Sequence, residues 1–271
     1  MADPVRGRYI RAVFERGKRY HRPAAITVAL LAILVTALLA TRDTRPRGAS
    51  RPMVWLWSWE HFDDFRFLEG QKAGVAYLAA TVRLDSAGAT WQGRAQNMRL
   101  VHGLPLLPVV RLEGSRALND SARHELVTRL VAVARGQGDS GLQIDWDAPR
   151  SSRPAYTALL QELRVALPDT LPLSVTALAS WCTGDCWLEG APVDEVVPMV
   201  FRMGADEARV RADLQHRGDF ACRACRQAVG LSVDEADWPS LRARRVYLFS
   251  PRPWTGEIFE RALERWERSR K

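Results

Sequence analysis

GLQIDWDAP, at residues 141–149, is predicted to form a buried β-strand that ends in two carboxylates. Its leucine and isoleucine favour a strand, and a glycine and a proline bracket the run. Alternation along a strand places Trp146 on one face and three polar side chains on the other, Gln143, Asp145 and Asp147. Polar groups on the inward face of a buried strand are costly to desolvate unless they are paired or used. The stretch therefore predicts a functional site at the end of a strand.

Seven further apolar segments have the composition of strands, and helical patterns lie between several of them. The predicted strands are residues 53–59, 74–82, 104–112, 173–179, 195–201, 228–233 and 245–250. The predicted helices are a helix-like segment at 61–70, a helix opened by a cap within 119–121, and the segments 155–166, 205–216 and 255–271. Eight strands, mostly separated by helices or spacers of helix length, match an irregular TIM-like (β/α)8 barrel of the α/β class better than an antiparallel sheet.

The net charge of +8 is concentrated near the N-terminus. Residues 1–50 hold ten of the 39 Lys and Arg but only three of the 31 Asp and Glu, so the rest of the chain is almost neutral. A nucleic-acid-binding domain is expected to carry a basic patch on its folded surface. The charge pattern therefore predicts that the chain has no nucleic-acid partner.

An uncharged apolar run, AAITVALLAILVTALLA at residues 24–40, follows the basic N-terminal segment. Its length is at the short end for a membrane-spanning helix, which needs about 17 to 25 residues. We predict a basic cytoplasmic segment (1–23), a transmembrane anchor (24–41), a linker (42–52) and the barrel (53–271) on the far side of the bacterial inner membrane. A signal sequence that is cleaved, leaving a secreted barrel, is the alternative, and a buried core helix is a third interpretation.

The four cysteines lie in two closely spaced sets, Cys182 with Cys186 and Cys222 with Cys225. Their spacing is compatible with a zinc site made of cysteines alone. In the oxidising compartment that the anchor predicts, disulfides are the favoured interpretation. The connectivity stays open, because local and cross pairings both fit the spacing.

Charged and aromatic side chains accumulate where the predicted strands end. In a (β/α)8 barrel the carboxyl ends of the strands form one mouth, which is where such enzymes bind and convert substrates. Tryptophan at these positions suits stacking on the apolar face of a sugar ring. The predicted substrate-binding residues from this pattern are Gln143, Trp57, Trp59, Glu60, Arg111, Glu113, Trp181, Arg202, Asp234, Glu235 and Trp254.

Asp145 and Asp147 are the predicted catalytic pair. Two carboxyl groups in different surroundings acquire different pKa values, so that one holds a proton while the other stays charged. The structural alternative is an ion pair with Arg111 or Arg202, or a cap on the helix that follows residue 149.

No motif indicates a cofactor or a metal. GQGDSG, at residues 136–141, matches the dinucleotide pattern GxGxxG, but it follows a helix and precedes a strand. That order is the reverse of what phosphate binding at a helix N-terminus requires. The five histidines show no paired metal spacing, and no G-x-S-x-G elbow occurs. Chemistry without a cofactor or metal is the prediction.

Several motifs resemble chitinase-like glycoside hydrolases of family 18. The family signature DGxDxDxE is similar to SGLQIDWD, at residues 140–147. Further similar segments follow in the family's order, LSVT at 173–176, VPMVF at 197–201, VGL at 229–231 and a tryptophan, Trp254. The whole pattern, from VWLWSWE to GLSVDE, looks more closely like an uncharacterised bacterial family, domain of unknown function 3142.

The family 18 resemblance implies that Asp147 is the acid and that Asp145 orients the N-acetyl group of the substrate. It also implies that Met199 and Phe201 contact the substrate and that Trp254 forms the floor of the site. The sequence departs from the family pattern by having aspartate for the glutamate acid, glutamine for the first aspartate and phenylalanine for a tyrosine. An alternative is an enzyme in which Asp147 is the acid and a different residue supplies the second carboxylate. The candidates for that carboxylate are Glu60, Glu113 and Asp234.

We therefore predict a membrane-anchored, extracytoplasmic protein, similar to glycoside hydrolases, that acts on an envelope or exported polysaccharide. Its partners would be a poly- or oligosaccharide and, through residues 24–41, the inner membrane. The alternative from another class is a catalytically inactive barrel that binds glycan through the same mouth or serves as an envelope scaffold.

Overall fold

The computed structural model describes residues 52–85, 88–114, 119–136, 141–242 and 244–269. The strands are β1 (Val54–Ser58), β2 (Asp63–Asp64), β3 (Ala73–Asp85), β4 (Gly88–Gly93), β5 (Met98–Arg99), β6 (Leu106–Glu113), β7 (Leu142–Asp145), β8 (Leu173–Leu178), β9 (Glu195–Met199), β10 (Ala228–Ser232) and β11 (Arg245–Phe249). The helices are α1 (Asp120–Gly136), α2 (Arg153–Ala166), α3 (Glu207–Arg217) and α4 (Gly256–Ser269).

Eight parallel strands close into a barrel. Their order around the ring is β1, β11, β10, β9, β8, β7, β6 and β3, and β3 pairs with β1 to complete it. The ninth strand of this sheet, β4, forms an antiparallel hairpin with the long β3. The predicted TIM-like barrel is therefore confirmed, and each predicted strand overlaps an observed one.

The helical layer around the barrel is incomplete among the described residues. Long helices follow β6, β7, β9 and β11, while the other connections contain short turns or the β4 hairpin. The helix-like segment predicted at 61–70 forms only β2 and one turn of 3-10 helix, Phe65–Leu68. Two of its three apolar residues are buried, and the helix does not continue past Gly70, whose φ of +74° lies in the left-handed region that glycine adopts without strain.

The apolar core has one layer inside the ring and another between the strands and the outer elements. Two glycines make room for the large rings of the inner layer. A Cβ on Gly74 would approach the ring of Trp55 to 2.7 Å, and one on Gly230 would approach the ring of Trp57 to 2.7 Å. The buried inner layer consists of Trp55, Trp57, Ala76, Leu107, Val109, Val197, Ala228 and Tyr247.

A buried polar network crosses the barrel interior below its mouth. Trp57 Nε1 donates to Gln143 Oε1 at 2.8 Å, and Gln143 Nε2 donates to Ser174 Oγ at 3.0 Å. Ser174 Oγ and Tyr247 Oη both donate to Glu195 Oε2, at 3.2 and 2.6 Å, and the arginine at the start of β11 pairs with the other oxygen. The network satisfies polar groups that would otherwise be costly to bury.

Two disulfides replace the missing helix between β8 and β9. Cys182 pairs with Cys225 and Cys186 with Cys222, so the pairing is crossed between the two sets. They tie the connection after β8 to the short 3-10 helix Arg223–Arg226, which lies against β9. The predicted disulfides are confirmed, and they indicate an oxidising compartment.

The predicted anchor at 24–41 lies outside the described residues. Within the described ranges, no helix combines the length and apolar character that crossing a membrane requires.

Candidate active site at the barrel mouth

A cavity of about 360 Å³ opens at the carboxyl ends of the parallel strands. Eight of the residues predicted from the sequence line it: Trp57, Trp59, Arg111, Asp145, Asp147, Met199, Phe201 and Arg202. Seven further residues complete the lining: Thr176, Leu178, Ala179, Ser180, Met203, Asp206 and Phe249. The structure thus brings both predicted carboxyl groups and most of the predicted aromatic groups into one concave surface.

Asp145 is buried at the end of β7, with 7% of its surface exposed. Its Oδ1 accepts a hydrogen bond of 2.6 Å from Thr176 Oγ1 on the neighbouring β8. Burial raises the pKa of Asp145 to about 6, and the nearby Asp147 raises it further, while Thr176 and Arg111 oppose the shift. A carboxyl group with this pKa can give up or hold a proton in mildly acidic solution.

Asp147 lies two residues further on, at the exposed rim of the same cavity. Partial loss of solvent raises the pKa of its carboxyl group, and Arg111 opposes this shift. Between the two acids, the indole of Trp146 packs against Tyr156 on the outside of the barrel and donates to the carbonyl of Gly114 at 3.0 Å. The alternation predicted for the strand therefore directs both carboxyl groups toward the cavity.

Aromatic side chains cover the opposite side of the mouth. β11 lies four strands from β7 in either direction around the ring, so Phe249 faces the acidic pair across the barrel. Phe249 stacks on Phe201 with ring centroids 5.4 Å apart and planes 5° from parallel. Trp59 meets Phe249 edge-on at 6.4 Å, and Trp57 meets Phe201 edge-on at 6.2 Å. A sugar ring in this cavity would have apolar faces on one side and carboxyl groups on the other.

Arg202 borders the aromatic side in a strained conformation. Its φ of +49° lies in the left-handed region, which residues other than glycine adopt at a cost. Its backbone N–H donates to Glu235 Oε1 at 3.0 Å, and its guanidinium lies 5.0 Å from the centre of the Phe249 ring. The guanidinium also lies 3.9 Å from Asp234. These contacts hold a cation at the edge of the cavity.

Arg111 borders the acidic side. Its closest carboxylate is that of Glu113, at 3.5 Å. Among the described residues, neither Arg111 nor Arg202 comes within 4 Å of Asp145 or Asp147, and the residue that precedes α2 is a serine. The structural alternative, in which the acids are ion-paired or cap the next helix, is therefore not observed.

Two predicted residues support the site without lining the cavity. Gln143 is fully buried below it, where its amide holds the indole of Trp57. Trp254 is buried in the outer layer, where its Nε1 donates to the carbonyl of Trp57 at 2.8 Å. The backbone N–H of Trp254 donates to Asp63 Oδ1 at 2.8 Å, and the floor position that the family 18 resemblance implies for its indole stays a prediction.

The other predicted residues lie around the rim, outside the cavity lining. Trp181 is buried against Trp187, with ring centroids 5.0 Å apart. Glu60 is exposed after the end of β1. The three remaining carboxylates have partners: Glu113 with Arg83 and Arg111, Asp234 with the hydroxyl of Ser232, and Glu235 with Arg211.

A second cavity of about 550 Å³ adjoins the first. Four residues line both cavities, Asp147, Leu178, Ser180 and Asp206. The outer wall of the second cavity contains Trp181 and the arginines Arg150, Arg153 and Arg209. Asp147 therefore lies on the boundary between two adjoining spaces rather than at a closed end.

Three of the seven further lining residues are positioned by strand alternation. Thr176 and Leu178 continue the inward series of β8, and Phe249 continues that of β11, so a period of two would have identified them. Asp206 was not identifiable in this way, because it precedes α3 and reaches the mouth only through the path of the loop after β9.

No group of three or more His, Cys, Asp or Glu side chains within the described ranges is arranged to hold a metal ion.

The fold and the mouth together define a TIM-like barrel with an acidic and aromatic cavity at the carboxyl ends of its strands. A family model described as "Domain of unknown function (DUF3142)" matches residues 102–200. The resemblance to that family is confirmed over this segment, which contains the acidic pair. No curated protein matches the chain.

Two solved structures are similar to the chain at low identity. One is the Bacillus cereus spore cortex-lytic enzyme SleL, with a TM-score of 0.44 and 14% identity over 69% of this chain and 52% of that one. The other is the chitinase domain of the spore coat protein CotE from Clostridium difficile, with a TM-score of 0.38 and 14% identity over 58% of this chain and 52% of that one. The chain thus spans about half the length of each.

Proposed function

We propose that the barrel mouth binds a glycan and cleaves a glycosidic bond, with Asp147 as the proton donor and Asp145 as its electrostatic partner. The observation that carries the proposal is a pair of carboxyl groups with raised pKa values, facing an aromatic wall across an open cavity. Asp147 is the donor because it lies at the accessible rim, whereas Asp145 is buried beneath it. A raised pKa keeps a carboxyl group protonated and able to protonate a leaving oxygen.

The adjoining cavities favour an oligo- or polysaccharide over a single sugar. Sugar units on either side of the cleaved bond need separate space, and Asp147 stands between two such spaces. The aromatic wall of the first cavity offers stacking surfaces, and the arginines of the second offer hydrogen-bond donors.

Membrane anchoring and an envelope or exported substrate complete the proposal. The two disulfides support an extracytoplasmic location, and the basic segment followed by the apolar run at 24–40 supports an anchor in the inner membrane. Protease treatment of spheroplasts tests this part: the barrel should be digested, while a barrel that remains protected until the cells are lysed would contradict it.

The catalytic proposal is tested by measuring reducing-end release from a panel of glycans by the full chain. Asp147→Asn should lower the rate by about 10²- to 10⁴-fold, because it removes the proton donor but keeps the shape. Asp120→Asn, at a side chain that is 94% exposed on α1, is the control and should leave the rate unchanged.

A barrel that binds glycan without cleaving it is the second candidate. The observation that favours it is Phe201, which stacks on Phe249 and has no hydroxyl to hold a substrate group during reaction. Binding that is retained in Asp147→Asn, with no release by either protein, would support this candidate and contradict the catalytic one.

A further inference from the structure

A further polar concavity lies at the opposite end of the barrel from the mouth. It has a volume of about 620 Å³ and is lined by His216, Arg217, Gly218, Asp219, Phe220, Ala221, Arg226 and Arg242. α3 leaves the mouth after β9 and spans 11 residues, about 16 Å, which matches the length of the five-residue β9. Its last residue, Arg217, therefore reaches the amino ends of the strands. Arg242 lies there too, three residues before β11 begins.

The charge in this concavity is unbalanced. Among the described residues, none of the guanidinium groups of Arg217, Arg226 and Arg242 has a carboxylate partner, and all three side chains are exposed. The acid in the lining, Asp219, is already engaged, since its Oδ2 accepts from Arg244 at 2.8 Å and its Oδ1 from a backbone N–H at 2.8 Å. The concavity therefore offers cations to an anion without a competing free carboxylate.

One of the three cations is held in place by backbone carbonyls, and a buried arginine lies nearby. Arg226 donates from Nε to the carbonyl of Phe220 at 2.8 Å and from Nη2 to that of Ala221 at 3.1 Å, which fixes the plane of its guanidinium. Arg244, behind the concavity, is 5% exposed, and its Nη1 is buried without a hydrogen-bond partner. Arg244 is otherwise paired, since Nη2 donates to Asp219 and Nε to the carbonyl of Arg242, but a buried donor without a partner is costly, so an anion nearby would stabilise this end of the barrel.

The chain enters the barrel at this same end. Pro52, the first described residue, accepts from Arg245 Nε at 2.9 Å through its carbonyl, and Arg245 starts β11 directly after Arg244. The apolar run precedes this residue in the sequence, so it is joined through the linker to the end of the barrel that bears the arginines.

We propose that the concavity formed by Arg217, Arg226 and Arg242 binds the phosphate groups of acidic phospholipids and seats the base of the barrel on the membrane surface. Arginine suits this role because its planar guanidinium binds phosphate oxygens in pairs. The barrel mouth then points away from the membrane, toward the envelope. The choice of lipid as the ligand rests on the anchor in the proposed function, whereas the anion site itself does not.

The test uses the full chain with lipid nanodiscs and follows hydrogen exchange in the segments 216–226 and 242–245. Discs that contain phosphatidylglycerol should slow exchange there by about tenfold or more relative to discs of phosphatidylcholine alone. Arg217→Gln, Arg226→Gln and Arg242→Gln together should remove this difference. Arg66→Gln, Arg99→Gln and Arg261→Gln remove the same charge from exposed positions elsewhere and should preserve it.

Each other outcome counts against the proposal. Equal exchange in the two kinds of disc, or equal loss in the two triple variants, would overturn it. Protection by glycerol phosphate in neutral discs, with none from acidic discs, would identify a site for a free phosphate and overturn the membrane orientation. If Arg226→Gln impairs folding, Arg217→Gln with Arg242→Gln gives the same comparison. Glycan release is measured separately. Loss of the lipid effect would therefore not contradict the catalytic proposal, and an absence of glycan release would not contradict the anion site.

Discussion

At the level of single residues, the mouth places polar groups where they cost stability. Asp145 is buried beside a second carboxyl group and has one hydrogen bond from Thr176. Arg202 adopts a left-handed backbone that glycine adopts without strain. Costs of this kind accumulate at functional sites, because the groups are held for binding or chemistry rather than for folding.

Asp145→Asn should make the protein more stable at high pH. The folded pKa of about 6 exceeds the ordinary value of 3.8, so the native state binds this proton more tightly than the unfolded state. Native stability therefore falls as the pH rises from about 4 to about 6, by about 3 kcal/mol from this group. The free energy of unfolding, measured in urea, should be higher for the variant than for the parent by about that amount at pH 8. At pH 3.5 the two proteins should differ little. An equal difference at both pH values would contradict the explanation.

Arg202→Gly and Arg202→Ala should differ in stability although both remove the guanidinium. Glycine accepts the φ of +49° while alanine retains the strain, so the glycine variant should be more stable by about 1 kcal/mol. Thermal or denaturant unfolding measures the difference. Both variants should bind glycan more weakly if the cation over Phe249 contacts the substrate, and an alanine variant as stable as the glycine variant would mean that the backbone is not strained.

At the level of elements, disulfides stabilise a connection that contains no long helix. The helical part of the connection from β8 to β9 is the single turn Trp181–Asp185. Without an amphipathic helix, this part of the outer layer is held by two disulfides that join it to the 3-10 helix before β10. The same turn contributes Trp181 and Asp185 to the second cavity, so the disulfides also shape the proposed glycan site.

Replacing Cys182 and Cys225 together by serine should lower the free energy of unfolding by about 2 to 4 kcal/mol. The bond closes a loop with a sequence separation of 43, and removing it restores conformational freedom to the unfolded chain. Denaturant unfolding of the double variant, compared with the matched replacement of Cys186 and Cys222, measures the effect. A loss below about 1 kcal/mol from either pair would show that packing alone holds this connection.

At the level of the whole molecule, the barrel is filled by large rings that lie against glycines. Trp55 faces Gly74 across the pairing of β1 with β3, and Trp57 lies over Gly230 on β10. Because Trp57 also lines the mouth, packing in the interior sets the position of part of the site.

Gly230→Ala should therefore impair both stability and glycan binding. The new methyl group would approach the ring of Trp57 to 2.7 Å and force it to move, at a cost of about 1 to 3 kcal/mol. Gly74→Ala should cost stability in a similar way through Trp55, without changing glycan binding, because Trp55 does not line the mouth. Gly93→Ala, which meets no atom within 4 Å, is the control. Unfolding and glycan titration of the three variants separate these effects, and an unchanged affinity in Gly230→Ala would contradict the link between packing and site.

The amino-acid sequence by itself determined the eight strands, the parallel barrel and the acidic pair at the end of the fourth barrel strand. These follow from local signals, since apolar runs, alternation and the end of a strand are all read within a few residues. Only the tertiary structure decided that Trp254 supports Trp57 from the outer layer, that the disulfides cross, and that Asp206 reaches the mouth. Each of these depends on contacts between residues far apart in the chain, and the path of a loop is set by what it packs against rather than by its own composition.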